Sequence, residues 1–236
     1  MIITPIKTRI FAEGENLANF ITKHIKRLPE QTVLVVTSKI VALAEKRTVI
    51  IENIQTKVEL IKKESDYAVP TKHVWLTIKD GMVMATAGID ESNANGKLIL
   101  LPKDSFKSAY KLRMVLKRHY KVKNLGILIT DSRTIPWRAG VAGVALGYAG
   151  FKGIKSYVGD RDIFGRKFRF ERTNVADSLA TAAVLTMGEG NEQQPLAIMT
   201  ETGIEFCDKI HRKELRIDIL DDMYAPLFAK LPYAKK

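Results

Sequence analysis

Three acid-bearing stretches hold the residue types that metal-assisted phosphoryl chemistry needs: Asp90 with Asn93 in GIDESN, Asp131 with Ser132 in ITDSR, and Glu189 between Gly188 and Gly190 in MGEGNEQQ. Carboxylate and hydroxyl oxygens suit Mg²⁺ or Mn²⁺, which complete their coordination with water and phosphate oxygens. Each stretch has a plainer reading as well. Short oxygen-bearing side chains satisfy loop N–H groups, so Asp131 and Ser132 read equally as turn caps, Asp90 as a turn starter and Glu189 as a solvated acid. Local chemistry leaves both readings open. His24, His73, His119 and His211 lack metal-type spacing, which argues against zinc, and neither GxxxxGKS/T nor GxGxxG occurs in the chain.

The elements that must carry these residues are legible as an α/β pattern with frequent switching. TVLVVTSK (Thr32 to Lys39) is a β-branched run leading into IVALAEKR, a short helix with Ser38 as its cap, and a strand entering a helix start offers free N–H groups to phosphate. HVWLTIKDGMVMATAG carries Asp80-Gly81 between two strand-like runs, a hairpin whose second strand delivers GIDESN. KLILLP (Lys97 to Pro102) reads as a strand, Asp104 as the cap of a basic helix, and GILIT (Gly126 to Thr130) as the strand whose tip presents Asp131 and Ser132. AGVAGVALGYAGFKG has glycines at 140, 143, 147, 150 and 153. So many would weaken a helix by about 1 kcal/mol each, so the segment is expected to be a tightly packed strand. NVADSLATAAVLTMG is a helix capped by Asn174 and stopped by Gly188, with Val175, Leu179, Ala182, Ala183 and Met187 on one face, and PLAIMT returns as a strand. Residues 1–200 are expected to form the catalytic domain and 201–236 a C-terminal extension, with an amphipathic portion, a break at Pro226 and a basic tail.

Lysine and arginine number 38 against 26 acids, a net charge of +12, so nucleic acid, a membrane surface or an anionic substrate are the partners to weigh. Eight basic residues lie between Lys103 and Lys123. On a helix most of them form a solvated face opposite Ala109, Leu112, Leu116 and Tyr120, and the aromatics are expected on the apolar stripe, which disfavours nucleic acid. The second cluster, Lys152 to Arg172, reads as loop and strand better placed to meet phosphates. The single cysteine, Cys207, excludes an internal disulfide and points to a reducing compartment. The start MIITPIKTRI has no signal-peptide pattern and no membrane span is apparent, so a cytoplasmic protein is expected.

The ordered set VVTSK, EKR, AGIDESN, LLPKD, ITDSRTIPWRAG, VALGYAG, DRDIFGR, NVADSLA and MGEGNEQQP, from about residue 30 to 200, resembles the coenzyme F-420:L-glutamate ligase family, often called CofE. The resemblance implies a CofE-like α/β fold with mixed sheets and intertwined subdomains, a homodimer, and a GTP-dependent ligase. Such an enzyme joins L-glutamate to a carboxylate of an F-420 precursor through an acyl phosphate, releasing GDP and phosphate. It implies two Mg²⁺ or Mn²⁺ ions, with K⁺ a further candidate. Asp90 and Asp131 match ligands of the first metal, Ser132 and Glu189 those of the second. Ser38, Lys39, Asn93, Gly188 and Gly190 match the nucleotide site. Lys39 and Arg138 are the candidate catalytic cations, and Arg161 and Arg166, flanking Phe164-Gly165, the candidate grip on an anionic acceptor. Arg138 reads equally as a partner stacked on Trp137. The chain departs from the pattern twice. Ala42-Leu43-Ala44-Glu45-Lys46-Arg47 stands where relatives carry Ser-Lys-Ala-Glu-Gly-Arg, and Asp131-Ser132-Arg133-Thr134-Ile135 where they carry Asp-Thr-x-Gly-Arg. These departures admit a folate as the alternative acceptor. A ligase scaffold without activity, serving as a basic binding protein, is the reading from another class.

Overall fold

The computed structural model describes residues 1–51 and 53–228. Its elements, in chain order, are β1 (Ile2–Ile6), α1 (Leu17–His24), β2 (Thr32–Thr37), α2 (Ser38–Ala44), β3 (Thr48–Val49), α3 (Ile54–Lys63), β4 (Tyr67–Pro70), β5 (Trp75–Lys79), β6 (Met82–Ala85), β7 (Leu98–Ile99), α4 (Ser105–Tyr120), β8 (Leu125–Thr134), β9 (Val141–Ala149), β10 (Ile154–Ser156), β11 (Arg172–Asn174), α5 (Val175–Met187), β12 (Leu196–Thr200) and α6 (Ala225–Phe228). The architecture is mixed α/β. A five-stranded sheet ordered β1-β12-β2-β8-β9 forms its centre, with β2 and β8 parallel and the other neighbours antiparallel. Smaller sheets β4-β5-β6, β3-β7 and β10-β11 flank it.

The central strands are apolar on both faces because both are covered. Leu34, Val36, Ile127 and Ile129 pack with Phe20, Val41, Leu112 and Leu116 of α1, α2 and α4. Val33, Val35, Leu128 and Tyr148 pack on the other side with Leu179, Ala180, Ala183 and Met187 of α5. The glycine-rich segment is strand β9, and two of its glycines have a steric reason. A Cβ at Gly143 would lie 2.4 Å from the Ala180 carbonyl oxygen on α5, and one at Gly147 would lie 2.5 Å from the Phe106 backbone nitrogen on α4. The strand is thus gripped by helices on both faces. Asp104 and Asn174 cap α4 and α5 by accepting from the backbone N–H groups of Lys107 (2.9 Å) and Asp177 (3.0 Å). At the β5–β6 turn Asp80 and Gly81 both take positive φ, 54° and 76°, as a two-residue hairpin turn requires.

Several expectations need correction. β8 does not end at Thr130 but runs on to Thr134, so Asp131 and Ser132 lie within a strand rather than at its tip. The reason is β9, which pairs with β8 as far as Thr134, beyond the last residue of β2, with a bulge at Ile129/Thr130. KLILLP contributes only Leu98–Ile99 to a sheet. Ser38 is not a cap: Thr37 precedes the helix, with no capping side-chain bond, and Ser38 is its first residue. On α4 Arg113 leaves the solvated face; it is buried, donating from Nε to the Leu125 carbonyl (2.7 Å) and from Nη2 to Asp208 (2.7 Å). Tyr110, by contrast, is half exposed among the lysines rather than on the apolar stripe.

Beyond β12 the chain returns along the sheet. Lys152 and Cys207 donate backbone N–H groups to Glu205 and Gly150, and Glu214 accepts from the Tyr148 hydroxyl and the Gly153 N–H. The amphipathic portion holds one short helix, α6, and the basic tail lies outside the described residues. Among the described residues no helix is long and apolar enough to cross a membrane.

Candidate functional site

β2 stops at Thr37 and turns into α2, whereas β8 continues, so β8 loses its β2 neighbour just where Asp131 begins. The crevice beyond the carboxyl ends of parallel strands is the usual ligand site of α/β sheets. A cleft of about 1080 Å³ opens here. It is lined by Thr37, Ser38 and Lys39 at the end of β2 and start of α2, by residues 88–90 and 92–95, by Thr130–Thr134 of β8 and by residues 187–195 at and after the end of α5. A further wall comes from Thr8 to Glu13 and from Leu100 and Leu101.

Strand alternation decides how the β8 residues divide. Asp131 and Arg133 share one face, where Arg133 Nη1 donates to Asp131 Oδ2 at 2.5 Å and the Ser38 hydroxyl stands a long 3.5 Å from Oδ1. Ser132 faces the other side and donates to Glu189 Oε1 at 2.5 Å. Glu189 stands there because α5 ends at Gly188, whose φ of 85° turns the chain back toward β8. Asp90 is fixed by a bridge between its backbone and that of Ile99, and its carboxylate receives Lys39 Nζ (2.8 Å) and the Ser92 N–H (2.7 Å). Lys39 Nζ also donates to the Ser92 carbonyl at 2.8 Å. Burial works against ionisation of Asp90, but the bonds from Lys39 and Ser92 outweigh it and hold the carboxyl below the usual range. Asn93 Nδ2 donates to the Gly190 carbonyl (3.1 Å), tying the second loop to the third, and the Gly190 N–H donates to Glu192 (2.8 Å).

Ser38, Lys39, Asp90, Asn93, Asp131, Ser132, Gly188, Glu189 and Gly190 are therefore brought to one cleft from four separated segments. Arg138, Arg161 and Arg166 are not. Arg138 lies in the exposed β8–β9 turn, its N–H donating to the Ile135 carbonyl (3.1 Å) beside a fully exposed Trp137. Arg161 and Arg166 lie in the loop between β10 and β11; Arg161 Nη1 donates to the Gly165 carbonyl (2.7 Å) and the Arg166 N–H to Asp162 (2.9 Å). Arg133, Ser92 and Glu192 are among the cleft residues that the sequence does not single out. For Arg133 a signal existed, since a residue two positions beyond Asp131 on a strand shares its face.

The charge of the cleft bears on metal. Five carboxylates line it (Glu13, Asp90, Asp131, Glu189, Glu192) against four cations (Arg9, Lys39, Lys97, Arg133), a formal charge of −1 in a chain of +12. Among the described residues no three acids, histidines or cysteines are already gathered as a metal cage. The donors are nonetheless hard oxygens, and in a cleft without excess positive charge added cations strengthen the hold on an anionic ligand, so the residues fit Mg²⁺ or Mn²⁺.

Comparison with known proteins adds the decisive observation: residues 5–201 match the family model of F420-0:Gamma-glutamyl ligase. The chain belongs to this family. It is similar to the coenzyme F420:L-glutamate ligase of Methanococcus maripaludis (strain C7), 31% identical over 86% of this chain and 88% of the relative. The Methanopyrus kandleri protein of that name is 34% identical over 78% of this chain and 80% of its own. For the Archaeoglobus fulgidus protein the identity is 31%, over 87% and 90%. The family match takes in every stretch that lines the cleft and ends next to Thr200, the last residue of β12.

Proposed function

We propose that this chain is a GTP-dependent ligase that joins L-glutamate to a carboxylate of an F-420-type deazaflavin precursor through an acyl phosphate. The observation that carries this reading is the convergence of Ser38, Lys39, Asp90, Asn93, Asp131, Ser132 and Glu189 on one cleft, in a member of a glutamate ligase family. The acceptor carboxylate attacks the γ-phosphoryl group and GDP leaves. The glutamate amine then attacks the acyl carbon, phosphate leaves, and the amine loses its proton. Asp90 and Asp131, with Ser132 and Glu189, would hold two divalent ions, which when bound neutralise the nucleotide's phosphates and the charge on the transferred group.

The chain's own residues do the rest. Lys39, tethered at Asp90 and Ser92, supplies a fixed positive charge beside the phosphates. Asn93 and the Gly188–Gly190 turn hold the nucleotide side of the cleft. Phe11, Leu43, Leu100 and Leu101 give that cleft apolar walls, which exclude water from an acyl phosphate that water would otherwise hydrolyse. Leu43 where relatives carry lysine removes a charge there, so a relaxed choice between GTP and ATP is expected. Arg138, Arg161 and Arg166, outside the cleft of one chain, are proposed to act toward the acceptor within a homodimer rather than on the nucleotide. A cytoplasmic location agrees with the single cysteine.

Purified protein supplied with Mn²⁺, GTP or ATP, labelled glutamate, and an F-420 precursor or a folate in turn tests the reading. Incorporation into the F-420-type acceptor is expected, and ¹⁸O placed in the acceptor carboxylate should appear in the released phosphate. No incorporation into any acceptor, with metal bound and nucleotide intact, would overturn it.

A further inference from the structure

One cation of the cleft is only partly partnered. Arg133, on β8 two residues beyond Asp131, is 9% exposed. Its Nη1 donates to Asp131 at 2.5 Å and stands 3.5 Å from the Ser132 carbonyl. Its Nε and Nη2, shielded from solvent, meet no hydrogen-bond partner among the described residues. Those two nitrogens carry three of the five N–H bonds of a guanidinium and form one edge of its planar fork. Buried charged donors without acceptors are costly, so an acceptor is missing from this edge. Other cations of the cleft are engaged: Lys39 with Asp90, Lys97 with Glu13 and Arg9 with Glu15.

We propose that Arg133 is an anion-binding residue of the cleft, with Asp131 holding Nη1 so that the Nε–Nη2 edge grips two oxygens of a bound oxyanion. The chemistry shared by its possible ligands is a pair of oxygens on one centre, as in a nucleotide phosphate or the carboxylate of glutamate, and an Arg fork meets either with two parallel bonds. Because Nε and Nη2 are shielded, binding requires a local shift of the cleft wall, after which the oxyanion meets donors already stripped of water. The proposal rests on the reading of this cleft as a ligase site for its choice of anions. It adds a residue that neither the metal set nor the nucleotide set contains.

Calorimetric titration with tripolyphosphate and, separately, with L-glutamate, in EDTA so that no metal intervenes, tests it on the full chain. The wild-type protein is expected to bind at least one of them, and Arg133→Gln to bind that ligand about tenfold more weakly or worse. Arg133→Lys keeps a positive charge beside Asp131 and should fold with a thermal midpoint near wild type, yet it loses the fork and is expected to bind weakly too. Loss confined to tripolyphosphate assigns the edge to phosphate, and loss confined to glutamate assigns it to a carboxylate. Absence of binding by the wild-type protein, or unchanged affinity for both ligands in Arg133→Lys and in any folded Arg133→Gln, overturns the proposal. Failure of the ligase reading is separate: it is read from glutamate incorporation, which the titration does not measure.

Discussion

At Asp131 the type of a residue and its setting carry different information. An acid and a hydroxyl side by side on a strand suit both a turn and a metal, and nothing in ITDSR decides between them. The structure decides the geometry: Asp131 faces Ser38 and Arg133, while Ser132 faces Glu189, because neighbouring residues of a strand point to opposite sides. That division is hidden in the sequence because the apolar run of β8 ends at Thr130, while the strand itself continues to Thr134 through its pairing with β9. The buried role of Arg113 was hidden for a different reason, since helical spacing alone does not reveal that Asp208 returns to meet it. Glu64 offers a prediction at this scale. It accepts Lys79 Nζ at 2.6 Å and Arg47 Nη2 at 2.8 Å, and Arg47 in turn donates to the carbonyl of Leu101 in the cleft wall. Burial opposes its ionisation, but the two cations prevail and depress its pKa. A depressed carboxyl stabilises the fold above its unfolded pKa of about 4.3 and ceases to do so as pH falls through the folded value. Glu64→Gln should therefore cost about 1–3 kcal/mol near pH 7, with the gap closing below about pH 4, as denaturant melts across that range would measure. A gap independent of pH would contradict the ion-pair account.

Among the elements, the clearest sequence signals were those with a local mechanism. Asp80-Gly81, the caps Asp104 and Asn174, the stop at Gly188 and the β-branched run of β2 each produced the element expected. The glycine-rich β9 was legible as a strand but not as the layer between two helices, because its close approaches are to residues of α4 and α5 far away in the chain. The extent of β8 was illegible for a similar reason: it is set by pairing with β9, a tertiary fact. Gly143→Ala tests this packing. The added methyl meets the Ala180 carbonyl and Val184, which are held in α5, so a loss of about 1–3 kcal/mol and a lower thermal midpoint are expected. A midpoint equal to wild type would show that β9 and α5 are less closely packed than the structure has them.

The molecule as a whole sets the charge of the cleft against that of its surface. A chain of +12 surrounds a cleft whose lining residues sum to −1, so the surplus of basic groups lies elsewhere. Large apolar side chains are also left exposed on two connecting segments, Ile135 and Trp137 between β8 and β9 and Ile163, Phe164 and Phe170 between β10 and β11. Exposure of this kind marks association surfaces, and it supports the proposed homodimer. Sedimentation should give twice the chain mass of 26.5 kDa, and Trp137→Glu with Phe164→Glu should shift the protein toward monomer. A wild-type monomer at micromolar concentration would contradict that proposal. The most direct test of the central claim follows GDP and glutamylated F-420 precursor together in one reaction, for the wild-type chain and for Asp131→Asn. The account predicts one GDP for each glutamate added, strict dependence on Mg²⁺ or Mn²⁺, and loss of both products by about a hundredfold or more in a folded Asp131→Asn. Glutamylation by Asp131→Asn at the wild-type rate, or GDP formed by the wild-type chain with no glutamate joined to any acceptor, would contradict it.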